Sequence, residues 1–319
     1  MTSHVLILGG FGTIGARLAE RLAATSRHRL TLSSRVPRDA PAWAPGAQTC
    51  ALDITDTGDW SHLLDGIETV VHLVSLTDFQ AKDDPDEAWR VGVDGTRHLI
   101  DNAQRSGVTR IIFMSTGHVY GTPYTGHITE STPPNPQQPY ATTHLEAEKL
   151  LANVHQTNGM TTVRLRLSNG FGYPKLRDNA IWQIVINDLC RQAIVNGSLT
   201  LKSSGLQHRN FIPFTDVCSA LVHTIDMPTD VVGDGLFNLG SPEAMRVIDV
   251  AKRVQVRAKA VLGLDLELHI PPALNEGASP GLHYDSSKLR STGLHLSDDL
   301  DAEIDALLRY CATTFGGAS

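Results

Sequence analysis

The stretch Gly9-Gly10-Phe11-Gly12-Thr13-Ile14-Gly15 follows directly on the apolar run Val5-Leu6-Ile7-Leu8 and opens onto a helical pattern. No other feature constrains the chain as much, because a glycine pattern becomes informative when it sits between a strand and a helix. Gly9 permits a tight turn, Gly12 lets backbone come close to a pyrophosphate, and Gly15 lets the helix pack on the sheet. The helix start also offers free N–H groups to an anion. Gly9, Phe11, Gly12, Thr13, Ile14 and Gly15 are therefore expected to hold a dinucleotide. A tight turn without a ligand is the plain alternative.

The alternation continues downstream. His4–Leu8, Arg29–Ser33, Thr69–Val74, Arg110–Met114 and Thr161–Leu167 read as strands, and Ile14–Ala24, Glu87–Arg105 and Tyr140–Asn153 as helices. Strands that alternate with helices build a parallel sheet. Val5-Leu6-Ile7-Leu8 and Ile111-Ile112-Phe113 are apolar throughout, as strands covered on both faces must be. The expected fold class is α/β, a doubly wound parallel sheet with a smaller α/β lobe toward the C-terminus. Past Leu167 the rhythm loosens into helices near Ile181–Asn196, Val247–Leu262 and Asp298–Phe315. Residues 1–168 with 212–240 are assigned to a dinucleotide-binding domain, and 169–211 with 241–319 to a substrate lobe. The proline-rich segments Val36–Ala47 and Ser131–Pro139 read as surface loops.

A formal net charge of -7 over 319 residues argues against nucleic acid or an anionic membrane as partner, since the surface repels phosphate on average. Cys50, Cys190, Cys218 and Cys311 form no CxxC pair and no secretory leader precedes the first strand, which fits a reducing cytoplasm. No apolar run approaches the roughly 18 residues that would span a bilayer. Despite 14 histidines there is no HExxH and no recognised ligand spacing, so no metal is expected.

The second strand ends in Leu32-Ser33-Ser34-Arg35, where a site for NAD would usually place an acidic residue on the ribose hydroxyls. Two hydroxyls and a guanidinium suit a 2′-phosphate instead, because arginine pairs bidentately with phosphate and a carboxylate would repel it. Ser33, Ser34 and Arg35 thus favour NADP over NAD.

Later segments resemble the extended short-chain dehydrogenase/reductases, and especially their NAD-dependent epimerase/dehydratase branch, which acts on nucleotide sugars; the likeness runs nearly the whole chain and implies a Rossmann fold. Asp53-Ile54 resembles the pair that holds adenine, and His72-Leu73-Val74-Ser75 the strand end that lies along the cofactor, so Leu73, Val74 and Ser75 are cofactor candidates and Thr77, just beyond, a substrate candidate. Gly92-Val93-Asp94-Gly95-Thr96 resembles NVxGT with glycine in place of asparagine, which removes an amide that supports the site in that family. Ser115-Thr116-Gly117-His118-Val119-Tyr120-Gly121 resembles the segment ending in VYG, whose catalytic hydroxyl here is Thr116.

Pro139-Tyr140-Ala141-Thr142-Thr143-His144 lies where the family has YxxxK, with histidine replacing lysine. Residues at i and i+4 share a helix face, so Tyr140 can reach a substrate oxygen while His144 reaches the nicotinamide ribose. In the family the ammonium also lowers the tyrosine pKa, and a neutral imidazole gives no comparable charge. Lys149 cannot substitute, since nine further residues rotate it by about 180° from Tyr140, toward solvent. Three readings of His144 compete: a working variant with altered pH dependence, a chemistry that asks less of Tyr140, or a site that binds cofactor without turnover. The first two together are favoured, because Thr116 and Tyr140 are both retained.

Arg166-Leu167-Ser168-Asn169-Gly170-Phe171-Gly172-Tyr173-Pro174 resembles RxxNVYGP, and the stretch from Leu199 to Val217 resembles the nucleotide-sugar segment that contains Arg209. The resemblance implies that Asn169 and Arg209 bind the substrate diphosphate, and guanidinium suits phosphate. The expected activity is hydride transfer to or from a carbon of a nucleotide-linked sugar, as an epimerase or ketoreductase; the resemblance also implies a homodimer, since helices like Glu87–Arg105 and Tyr140–Asn153 pair across dimers in similar proteins. Two alternatives stand beside it: a reductase of a small carbonyl compound without a nucleotide, and a cofactor-sensing protein without turnover.

Overall fold

The computed structural model describes residues 3–157, 159–177, 180–271 and 280–317. Its centre is a seven-stranded sheet, parallel throughout, in the spatial order Leu236–Leu239, Thr161–Leu167, Arg110–Thr116, Thr69–His72, Ser3–Leu8, His28–Ser34, Gln48–Ala51. Chain order reverses between Ser3–Leu8 and Thr69–His72, and in an open parallel sheet a ligand binds at such a switch point, outside the C-terminal strand ends. The expected doubly wound sheet is what forms.

The apolar strands are buried on both faces, as their lack of alternation requires. One face packs Val5, Ile7, Leu30 and Leu32 against Leu18 and Leu22 of helix Thr13–Thr25 and Val217 and Leu221 of helix Phe214–Asp226. The other packs Leu6, Leu8, Ile111 and Phe113 against Leu99 and Ala103 of helix Gly95–Arg105 and Ala147 and Leu151 of helix Pro139–Thr157. Burying a leucine side chain contributes about 1.5–3 kcal/mol, so each face is a substantial source of stability.

Two expected helices differ in detail. Glu87–Arg105 begins earlier, at Pro85, and is divided by a π-helical turn over Arg90–Asp94 before continuing as Gly95–Arg105. Two glycines bracket the reason: a Cβ on Gly92 would lie 3.0 Å from Thr143 Cβ, and one on Gly95 2.9 Å from Ile54 Cγ1. The widened turn lets backbone press against the neighbouring helix on one side and the third-strand loop on the other. Ile181–Asn196 starts as a 3₁₀ turn over Ala180–Gln183, breaks at the extended Ile184, and is α-helical over Val185–Val195.

Beyond the main sheet, Asn169–Phe171, His208–Pro213 and Ala244–Arg246 form a small mixed sheet. Helices Val185–Val195, Val247–Leu262 and Leu300–Phe315 gather around a separate core that includes Phe171, Leu189, Phe211, Val254 and Leu307. Segments 178–179, 272–279 and 318–319 of the expected substrate lobe lie outside the described residues. A buried ion pair joins this core to the first helix: Arg17 Nη2 donates to Glu303 Oε2 at 3.0 Å and to Thr215 Oγ1 at 2.8 Å. Burial alone would lower the Arg17 pKa, and the Glu303 carboxylate raises it past that effect.

Candidate active site

The glycine turn has the shape its sequence implies. Gly9 adopts φ +81°, and the Gly12 N–H closes the turn on the Gly9 carbonyl at 2.9 Å. A Cβ on Gly15 would fall 2.2 Å from that carbonyl oxygen, so any side chain there displaces backbone. Gly12 caps helix Thr13–Thr25 without a side-chain hydrogen bond. The first amides of a 13-residue helix therefore point, uncapped, across the switch point, and this cradle fits a pyrophosphate at Phe11, Gly12, Thr13 and Ile14.

Ser33 and Ser34 diverge. Ser33 is buried, and its Oγ accepts from the Gly9 N–H at 3.2 Å while its carbonyl accepts from Gly10, so it shapes the turn from beneath instead of facing a ribose. Ser34 sits at the rim and donates to the Val36 carbonyl. Arg35 is exposed, and its charge reaches Asp53, whose pKa is lowered by the backbone and hydroxyl of Thr55 and then by Arg35. Asp53 Oδ1 accepts from both Thr55 groups, while Ile54 is buried against Gly95. A further arginine enters that the sequence reading did not single out: the Arg38 guanidinium lies 5.3 Å from the ring centre of Phe11, which packs edge-on against Trp43.

Strand Thr69–His72 is shorter than expected, but Leu73 still donates to the Leu8 carbonyl at 3.1 Å. Leu73 and Val74 flank Gly9, Ser75 is exposed, and the Thr77 hydroxyl is engaged in a capping box with Gln80. Below them His72 is buried, with Nε2 3.1 Å from Thr96 Oγ1, whose own proton goes to the Gly92 carbonyl. His72 must then donate from Nε2, leaving Nδ1 to accept from the Val74 N–H. Burial lowers its pKa to about 3, so it is neutral.

The structure brings Tyr140, Thr116 and His144 together. Thr116 ends the fifth strand, buried, with Oγ1 accepting the His118 N–H at 3.2 Å, which leaves its own proton free to donate. The Tyr140 hydroxyl is within hydrogen-bonding influence of Thr116; burial raises the tyrosine pKa, Thr116 opposes that, and Asp78 adds to it. The His144 ring lies 4.3 Å from that of Tyr140 and 5.7 Å from that of Phe113. Its Nδ1 donates to the Tyr140 carbonyl at 2.7 Å. Burial lowers the His144 pKa, partly offset by that hydrogen bond and by Glu148. Lys149 is on the surface, paired with Glu146 at 2.6 Å.

One turn beyond His144, Glu148 is buried and paired with Arg166 at 2.6 Å, and also accepts from Ser115. Burial works against the Arg166 charge, and Glu148 more than offsets it. This pair fixes helix Pro139–Thr157 to strands Arg110–Thr116 and Thr161–Leu167. The i+4 spacing from His144 to Glu148 was its only sequence signal.

Asn169 and Arg209 stand on neighbouring strands of the small sheet. Asn169 Nδ2 donates to the Asn210 carbonyl at 3.0 Å, and its side chain also bonds the Tyr124 phenol. Arg209 is exposed, and its charge acts on Tyr124 and His118. The Tyr124 phenol, 3.1 Å from where a Gly117 Cβ would stand, fills the space this glycine leaves. Lys288, from the Asp285-Ser286-Ser287-Lys288 segment, lies away from the site and binds Asp234 at 2.7 Å.

Residues 5–240 match the model of the NAD dependent epimerase/dehydratase family. The chain belongs to that family. Among its relatives, a UDP-glucose 4-epimerase of Lactobacillus helveticus is 27% identical over 303 residues, covering 90% of each chain. A dTDP-L-rhamnose 4-epimerase of Burkholderia thailandensis is 26% identical, covering 78% of this chain and 79% of its own. The fold matches a UDP-glucose 4-epimerase of Thermotoga maritima with a TM-score of 0.82 at 19% identity, over 98% of this chain and 99% of that one. Family membership makes the chain an enzyme of the NAD-dependent, extended short-chain dehydrogenase type. No helix among the described residues is long and apolar enough to cross a membrane.

Proposed function

We propose that this enzyme transfers hydride to or from a sugar carbon of a nucleotide-linked sugar, as an epimerase or ketoreductase, and that it works best in the direction of reduction. The observation that carries the direction is the pairing of Tyr140 with His144, both held neutral by burial. A protonated phenol is ready to give a proton to an oxygen on which negative charge develops. A simple dehydrogenation would need the phenolate, and among the described residues no fixed cation stands beside Tyr140 to stabilise one.

When bound, the cofactor supplies or accepts the hydride. The residues do the rest: Thr116 donates to the same sugar oxygen as Tyr140, and a preorganised donor pair stabilises charge there. His144 presents its Nε2 lone pair to a ribose hydroxyl. Asn169 and Arg209 hold the diphosphate, with the guanidinium giving charge-assisted hydrogen bonds. Arg35, Ser34 and Arg38 favour NADP, which suits net reduction.

We further propose a cytoplasmic homodimer paired through helices Gly95–Arg105 and Pro139–Thr157; Trp89, 43% exposed beside them, supports that face. Light scattering tests the dimer. The activity is tested by supplying NADPH with UDP- and dTDP-linked 4-ketohexoses and following absorbance: consumption of NADPH that depends on the nucleotide supports the reading. Equal rates with a ketohexose lacking the nucleotide, or calorimetry without binding of either nucleotide, would overturn it.

A further inference from the structure

The two ligands of this enzyme are anchored on different parts of the fold. The pyrophosphate cradle lies at the start of helix Thr13–Thr25, whereas Asn169 and Arg209 belong to paired strands of the smaller sheet. Hydride transfer needs both ligands in register, and a buried arginine spans the gap between their anchors. Arg17 follows Thr13 by four residues, so its side chain leaves the same helix face one turn, about 5.4 Å, beyond the cradle amides. Its guanidinium meets side chains and backbone from the second half of the chain alone: Tyr173, Thr215 and Glu303.

The contacts form a closed set. Arg17 Nη2 donates to Glu303 Oε2 at 3.0 Å and to Thr215 Oγ1 at 2.8 Å, and Thr215 donates its own proton to Glu303 Oε2 at 2.6 Å. Nη1 donates to Glu303 Oε1 and to the Tyr173 carbonyl at 3.4 Å, while the guanidinium carbon lies 4.3 Å from the centre of the Tyr173 ring. Gly172 crosses the pair so closely that a Cβ would stand 2.2 Å from Glu303 Oε1 and 2.6 Å from Arg17 Nη1. Its N–H and carbonyl are both taken by the Asn187 side chain, at 3.2 and 2.7 Å. A second tie joins the same segment to the same helix, from Lys175 Nζ to Glu20 Oε1 at 2.5 Å. Gly172 and Tyr173 directly continue strand Asn169–Phe171, which pairs with the strand carrying Arg209, so what Arg17 grips is the end of the diphosphate anchor.

We propose that Arg17 is a positioning residue, which through Gly172 and Tyr173 registers the diphosphate anchor on the cofactor helix and so sets the distance from nicotinamide to sugar carbon. The proposal rests on the nucleotide-sugar reading above and adds to it a residue that touches neither ligand. A buried ion pair is a weak source of stability, since apolar residues of similar volume often replace it without loss. Apolar replacement does not reproduce direction, and a planar guanidinium holds its partners at fixed angles. Hydride transfer feels such placement, because a shift of about 1 Å costs about a hundredfold in rate. Stability and catalysis are therefore expected to come apart at this pair.

The test compares wild type with Arg17→Met/Glu303→Leu as full-length enzymes. Melting temperature, calorimetry of UDP, dTDP and NADPH, and stopped-flow reduction of UDP- or dTDP-linked 4-ketohexoses are measured on both. The double variant is expected to keep its melting temperature and to bind each ligand within about twofold of wild type, while kcat falls by about a hundredfold. A folded double variant with wild-type kcat, or a loss confined to KM, would overturn the role of Arg17. Should the double variant not fold, Arg17→Lys, which keeps the ion pair but not the planar fork, carries the same test, with a loss of about tenfold in kcat expected and an unchanged kcat refuting the role. A readout without turnover stands beside these: time-resolved energy transfer from bound NADPH to an acceptor dye carried on UDP. One narrow distance in wild type and a broadened one in the variant are expected, and identical distributions count against the proposal. Wild type that binds the ketosugars and reduces none removes the proposed function and leaves energy transfer to decide this one, whereas failure of both nucleotides to bind removes both.

Discussion

His144 donates Nδ1–H to the carbonyl oxygen of Tyr140 at 2.7 Å, one turn back on the same helix. That bond fixes the tautomer: the neutral ring has its lone pair on Nε2, so it accepts where a lysine ammonium would only donate. It also leaves the site without a fixed positive charge at this position.

Restoring that charge is expected to change the pH profile. His144→Lys should lower the Tyr140 pKa, because an ammonium beside the phenol favours the phenolate, and so raise kcat near neutral pH or move the optimum downward. Measuring kcat/KM from pH 5 to 10 checks it. A superimposable profile would show that His144 plays no part in setting Tyr140.

Cofactor choice separates at the second-strand end. Arg35→Ala should weaken NADPH binding by about 1.5–3 kcal/mol, the scale of a charged hydrogen bond, and leave NADH nearly unchanged. Arg38→Ala is expected to act in the same sense, with a smaller loss shared by both cofactors because Arg38 also covers Phe11. Titration of cofactor fluorescence reads both, and equal losses of NADPH and NADH in Arg35→Ala would refute a 2′-phosphate contact.

Acid stability carries the signature of His72. Its pKa is lowered from 6.5 to about 3, so between those values the unfolded chain binds a proton that the folded one does not. Stability then rises with pH across that window, is fully present above 6.5, and is lost as pH falls toward 3. His72→Phe should flatten the dependence of the urea midpoint on pH between 6.5 and 4, although its stability at pH 7 is lower because Thr96 loses a partner.

Removing one member of the pair that joins the first helix to the C-terminal core should be severe. Arg17→Met leaves Glu303 buried and unpaired, at an expected cost of about 3–5 kcal/mol. Arg17→Met with Glu303→Leu should recover much of that, as an apolar replacement of both partners. Thermal denaturation of the single and double variants decides it; additive losses would mean that the two residues do not act as a pair.

How much of this was readable in advance depended on how local the signal was. The glycine turn and the apolar strands are written within short segments, so the five strands with assigned bounds and the cradle were legible to within a residue or two, whereas Gln48–Ala51 and Leu236–Leu239 were given no bounds. Ser33 was not, because whether it faces the ribose or the Gly9 amide is decided by strand register. The π-helical turn at Arg90–Asp94 arises from packing against Thr143 and Ile54, residues far apart in sequence. His118 stood within a segment already quoted, yet only the fold puts its ring beside Tyr140, and Arg38 joins the cofactor site through a loop whose path a sequence does not specify.

The strand Leu236–Leu239 closes the main sheet beside Thr161–Leu167, although two strands of the smaller sheet and two α-helices are synthesised between them. On the ribosome, six strands of the main sheet emerge early but lack this edge strand until well over two thirds of the chain has been made. Until then Thr161–Leu167 presents an unpaired edge, a template for pairing with another chain. Non-local pairings of this kind fold slowly, so exposure to chaperones and to aggregation is built into the order in which the strands are made.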